Sequence, residues 1–146
     1  MPITLDLLDE AHAQVALTIL AADGNQPVYA GAVPQDPTTG KSAPPPYVLV
    51  YSVVEWPVGP EGTTLDGITA ACVTRWYTHS VGGTDQQTRS VANRVRQLLK
   101  DVQPTITGRS CGFIQQEAAL PLVRDETTGQ LVQDLAAVYV LTTYPG

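Results

Sequence analysis

Between Gly31 and Pro46 the chain carries Pro34, Pro37, Gly40 and the run Pro44-Pro45-Pro46. Proline fixes φ and removes a backbone donor, so this stretch can be neither a helix nor a central strand. The composition predicts a long exposed loop at about 31–46, ending in a short polyproline-like spacer. A loop this long within a compact domain tends to be functional or unstructured. Asp36 and Lys41 are its only charges.

Regular elements are legible on both sides of that loop. From Leu5 to Ala22, the residues Leu5, Leu8, His12, Val15 and Ile19 recur at spacings of three and four, which predicts an amphipathic helix. Asp6 is placed to cap it, with Asp9 and Glu10 near the positive end of the helix dipole and Gly24 as a stop. Val28 to Ala30 is a short strand candidate. Tyr47 to Trp56 is nearly continuous in apolar and β-favouring residues, the pattern of a central strand covered on both faces. Pro57, Gly59, Pro60 and Gly62 form a second loop.

Leu65 to His79 reads as a further strand. One face would present Cys72, Thr74, Trp76 and Thr78, and the other Val73, Arg75, Tyr77 and His79, before Gly82-Gly83 ends it. Thr84 to Val102 is the strongest helix. Thr84 and Gln87 fit a capping box, Val91, Val95, Leu98, Leu99 and Val102 form the apolar stripe, and Pro104 follows. Phe113 to Val123 predicts one or two short strands broken near Pro121. Asp125 to Gly129 suits a hairpin turn, and Leu131 to Tyr144 is a long closing strand. The order predicts one α+β domain over residues 1–146, a mostly antiparallel sheet with two main helices packed on one face.

Composition narrows the function classes. The chain has 146 residues, one domain's worth, with 43% apolar and 15% charged residues. The usual charged share is about 25%. A surface so poor in charge suits a protein whose surface becomes interface. The net charge of −6 and the lack of any basic run argue against gripping a nucleic-acid backbone. Cys72 and Cys111 are too widely spaced for a zinc pattern and too few for a disulfide scaffold, which predicts two reduced thiols made in a cytoplasm. The N-terminal stretch has no basic region and carries Asp6, Asp9 and Glu10, unlike a secretion signal. No apolar run approaches the roughly 18 residues of a membrane span.

The titratable residues do not converge into a recognisable catalytic pattern. His12 lies on an apolar stripe and reads as a satisfied core residue ahead of a ligand. His79 reads as an ordinary strand-end residue. A nucleophile–base arrangement would need Ser110 or Cys111 with one of these histidines, and no spacing favours it. Gly108 to Gly112 leads from a loop to a strand and is not a nucleophile elbow. Gly82-Gly83-Thr84 lacks the lysine and glycine spacing of phosphate-binding loops. Glu55, between Val54 and Trp56, is either a strand-end charge or an interfacial partner for an arginine. The residues therefore predict no enzyme, no cofactor and no metal site.

The strand Pro46-Tyr47-Val48-Leu49-Val50-Tyr51, the strand Ala70 to His79, Gly82-Gly83-Thr84 opening a helix, and the closing strand Asp134 to Tyr144 form one pattern. It resembles the tail terminator (tail completion) proteins of long-tailed bacteriophages, over most of the chain from Leu5 to Tyr144. The resemblance implies a virion protein at the neck end of the tail: a ring of six copies that caps the tail tube, ends its polymerisation and meets the neck proteins. DNA would only pass through the lumen, and no membrane is involved. Because Trp, Tyr and Arg dominate binding hot spots, Arg75, Trp76, Tyr77, Arg89 and Arg96 are the interface candidates. Core aromatics and solvated cations are the competing description of those five. The alternatives in function are a head–tail connector or head-closure protein, a small enzyme using Cys111 or His79, and a monomeric binding module offering Ala32–Pro46 to an aromatic groove.

Overall fold

A computed structural model describes residues 5–56, 71–126 and 131–146. The expected loop at 57–62, the first part of the expected strand at 65–70, and most of the turn at 127–129 lie outside the described residues. The elements run α1 (Leu5–Asp23), β1 (Val28–Ala30), β2 (Tyr47–Glu55), β3 (Cys72–Gly82), α2 (Asp85–Leu99), β4 (Arg109–Cys111), β5 (Gln115–Ala119), β6 (Val123–Asp125) and β7 (Val132–Pro145). This is the expected α+β arrangement of two helices and a mostly antiparallel sheet.

The strands form one sheet whose spine is β1-β2-β3-β7. The pairs β2–β3 and β3–β7 are antiparallel, and only β1 joins β2 in parallel. The far edge of β7 is long enough to serve three short strands in succession. β6 pairs with its start, β5 with its middle and β4 with its end. The expected break near Pro121 separates β5 from β6, whereas β4 occupies a segment expected to be loop.

Alternation along β3 decides where the core sits. Cys72, Thr74, Trp76, Thr78 and Ser80 are buried on one face. Trp76 is 0% exposed and stands opposite Tyr139, itself buried. Both helices lie against this face. The α1 row is Leu8, His12, Ala16 and Leu20, with Val15 and Ile19 half-buried at its margin, so the buried stripe is rotated slightly from the expected one. Asp6 falls within the first helical turn. α2 contributes Thr88, Val91, Val95 and Leu99. The Trp76 indole Nε1 and the Ser52 hydroxyl both donate to the Ala13 carbonyl, each at 3.1 Å, and so tie α1 to β2 and β3. Arg94 of α2 pairs with Asp23 at the end of α1 and joins the two helices.

Local signals position α2. The Thr84 hydroxyl accepts from the Gln87 backbone N–H at 3.1 Å, while Gln87 Oε1 accepts from the Gly83 N–H at 2.7 Å. This is the expected capping box with its return bond moved one residue outward. A Cβ at Gly82 would lie 2.7 Å from the backbone nitrogen and hydroxyl of Thr88, so only glycine lets β3 press so closely on the helix start. α2 ends at Leu99, short of the expected Val102. Asp101 turns to a φ of 65° and donates its N–H to the Ile114 carbonyl. Among the described residues, no helix is long and apolar enough to cross a membrane.

The proline-rich segment doubles back on itself. Gln35 bridges Ser42, the Asp36 N–H donates to the Lys41 carbonyl at 2.8 Å, and the Ala43 N–H donates to the Pro34 carbonyl at 2.9 Å. Its near end brings Val33, with Tyr29 of β1, against a small cluster of Tyr47, Val81 and Val132.

The two faces of β3 make a direct stability test. Trp76→Ala should cost about 3–5 kcal/mol by emptying the core beneath α1, while Tyr77→Ala should cost about 1 kcal/mol or less through a lost cross-strand pair. Urea unfolding of the two variants measures both, and comparable losses would contradict the assignment of faces.

Candidate functional site

Among the described residues, no helix lies on the second face of the sheet. Antiparallel register places facing residues side by side on it. Tyr51 stands opposite Tyr77, and Tyr77 opposite Val138. Val53 stands opposite Arg75, and Arg75 opposite Val140. Leu49 faces His79, which faces Ala136. Tyr51 and Tyr77 are 43% and 39% exposed, large values for aromatic side chains in mid-strand. Val53, Val123 and Tyr144 add exposed apolar surface on the same side. The expectation that Tyr47–Trp56 is covered on both faces is therefore corrected. β1 ends at Ala30 opposite Val50, and beyond that point the outward residues Tyr51, Val53 and Glu55 are exposed.

Charge flanks Tyr77 along the middle strand of this face. Arg75 donates from Nη1 to Glu55 at 3.0 Å and from Nε to Glu117 at 2.9 Å, so one guanidinium ties β2 and β3 to β5. Glu117 lies in a bulge between Gln116 and Ala118, which re-aims its carboxylate. The Glu117 carboxylate, first among the causes, holds the Arg75 guanidinium above its ordinary pKa. Toward the other end, His79 Nδ1 lies 2.9 Å from Asp134 Oδ2, and its ring meets Tyr51 edge-on at 5.7 Å. The hydrogen bond to Asp134 raises the His79 pKa, against a smaller lowering from burial. Glu55 thus proves to be both a strand-end charge and a partner for an arginine, within its own chain.

The five interface candidates divide. Arg75 and Tyr77 belong to this helix-free face. Trp76 points the other way, wholly buried beneath α1, and its placement is that of a core aromatic. Arg89 and Arg96 lie on the exposed side of α2, where Arg89 pairs with Asp85 at 2.6 Å and Arg96 donates to Asn93 at 3.1 Å. The structure thus gathers four candidates onto two separate surfaces. Glu117, Tyr51 and the His79–Asp134 pair were missed by sequence reasoning. For Tyr51 a signal existed in the alternation of Tyr47, Leu49, Tyr51 and Val53; for the others, contacts 42 and 55 residues apart in sequence left none.

The other titratable residues have structural surroundings. His12 is fully buried: its Nδ1 lies 2.7 Å from the Leu8 carbonyl, and its Nε2 lies 2.8 Å from the Thr143 hydroxyl. A carbonyl only accepts, so Nδ1 carries the proton and Thr143 donates to Nε2 in the neutral ring. Burial lowers the His12 pKa, which favours that neutral form. Cys72 and Cys111 face the same Thr143 from opposite sides of β7. Two strand spacings, about 10 Å, separate their backbones, beyond the reach of a disulfide. Burial raises the Cys72 thiol pKa. A groove of about 830 Å³ runs beside α2 past Asn25, Gln26, Arg89 and Arg94, and another of about 330 Å³ lies between α2, β5 and β7. Neither histidine and neither cysteine lines either groove. Among the described residues, no group of three or more His, Cys, Asp and Glu is placed to hold a metal ion.

No family model matches this chain, and no curated protein matches it. Among solved structures, it is similar to a chain in the virion of a native gene transfer agent particle, at 16% identity and a TM-score of 0.55. The match covers 94% of this chain and 91% of that one. Across that distance in sequence, what the two chains share is the fold.

The His79–Asp134 pair gives a pH signature. Its raised pKa means that the stability it contributes is fully present below about pH 6.5, the unfolded imidazole value. That contribution is lost as pH rises through the higher folded value. His12, with its lowered pKa, acts in the opposite sense and destabilises as pH falls. His79→Gln should therefore remove only the component that declines upward from about pH 6.5, measured as the difference in urea midpoint from the unaltered protein across pH. A difference that does not change with pH would contradict the pairing.

Proposed function

We propose that this chain is a structural protein of a phage-like virion, a tail terminator that forms a ring of six on the end of the tail tube. In this reading the ring stops tube polymerisation and offers its far side to the head and neck proteins, with DNA passing through the lumen. The observation that carries the proposal is the likeness, nearly end to end, to a chain of a gene transfer agent virion. The tail-terminator pattern in the strands and second helix supports the finer assignment.

The geometry fits a function based on recognition. A three-strand apolar face bearing Tyr51, Tyr77 and Val53 is the kind of patch that a soluble monomer rarely leaves bare. Aromatic residues and arginine are enriched where protein surfaces meet. A subunit in a ring uses two different patches, each meeting its complement on a neighbour. The acidic balance of −6 lets DNA slide through such a ring without being trapped.

Light scattering across concentration, with and without tail-tube protein, tests the proposal. The expected result is a ring of about six subunit masses, formed freely or only on tubes, whose addition halts tube growth. A ring that ignores tubes and binds head vertices would favour the connector or head-closure role. A monomer at every concentration, indifferent to tubes, would overturn the assembly reading.

A further inference from the structure

We infer that the outer face of α2 in one copy packs onto the helix-free sheet face of the next copy, forming the subunit boundary of the ring; this rests on the assembly proposed above. The two surfaces lie on opposite sides of one subunit. α2 covers the face that holds Trp76, and Tyr77 projects from the other. A contact between two unlike patches is head-to-tail, so repetition closes a ring or extends a filament.

Charge selects this pairing. Half of the chain's eight Lys and Arg residues fall between Arg89 and Lys100. Arg89, Asn93, Arg96 and Lys100 follow one another at spacings of four, three and four, which puts them on one exposed stripe. Asp85 partners Arg89, but among the described residues no carboxylate pairs with Arg96 or Lys100. The sheet face has the opposite balance. Glu55 and Glu117 share the single cation Arg75, and Asp134 pairs with His79, which leaves a negative surplus around the two tyrosines whenever His79 is neutral and one charge even when it is not.

Side-chain chemistry points the same way. A guanidinium over the face of Tyr77 or Tyr51 gains a cation–π contact, and arginine stems can lie along Val53 and Val140 while their heads reach the carboxylates. Among the described residues, no helical layer covers Tyr51 and Tyr77. A helix laid across Tyr51 and Tyr77 would give the central strands cover on both faces, the environment suited to their near-continuous apolar sequence.

Cross-linking tests the contact. In a Cys111→Ser background, Arg96→Cys and Tyr77→Cys are prepared separately, mixed, assembled and treated with a flexible bismaleimide. The mixture should give roughly ten-fold more covalent dimer than either variant alone, because unlike patches meet only between copies, and the double variant should give a ladder of multimers. Arg89→Cys with Tyr51→Cys is the second pair, used if either first variant fails to melt like the parent protein. Equal self-linking by Arg96→Cys alone, or no mixed product from protein that light scattering shows to be assembled, would overturn this contact and leave the ring standing. A parent protein that never assembles, alone or with tail tubes, would overturn the ring and this contact together.

Discussion

The pairing of β3 with β7 is the constraint on which the rest depends. Each residue from Cys72 to Gly82 has a partner on β7, from Thr143 back to Gln133. That register sends Trp76 and Tyr139 to one side and Tyr77 and Val138 to the other. A slip of one residue would expose the tryptophan and bury Arg75, so register and core specify each other. Because β7 is 14 residues long, it also organises the far edge, where it pairs with three short strands in succession.

From this follows, among the described residues, one face covered by helices and one face left open. Trp76, His12, Thr143 and the helices complete the first, including its polar atoms. The second face is crossed by ion pairs, since Arg75 spans from Glu55 to Glu117 and His79 is anchored by Asp134. These pairs are partly exposed and add little to stability. What they do is fix the positions of charge around Tyr51 and Tyr77, and a preset pattern of charge favours one partner orientation over others. Low overall charge, an open apolar face and a cationic helix on the opposite side are then parts of one arrangement.

Much of this was legible in the sequence where the governing physics is local. Thr84, Gln87 and Gly83 announce α2 because a helix cap is made by neighbours in the chain. Gly24 stops α1 at a φ of 70°, as a glycine there suggests. The alternation around Trp76 correctly separates two faces of β3. It does not say which face is covered, and so Trp76 and Tyr77 appeared equivalent as interface candidates. β4 was illegible because Arg109 to Cys111 form a strand only through pairing with the end of β7. The open face was misread in β2, since an apolar run suits a strand covered on both faces and one with an exposed face equally well. His79 and Asp134 were invisible as a pair because register over 55 residues brings them together.

In the proposed assembly, the helix-free sheet face becomes buried between subunits. Tyrosine-selective oxidative footprinting, read by mass spectrometry on the free subunit and on the protein bound to tail tubes, measures this most directly. Tyr51 and Tyr77 should be modified in the free subunit and protected in the assembly, while Tyr139 stays protected in both. Equal modification of Tyr51 and Tyr77 in the two states would contradict the account.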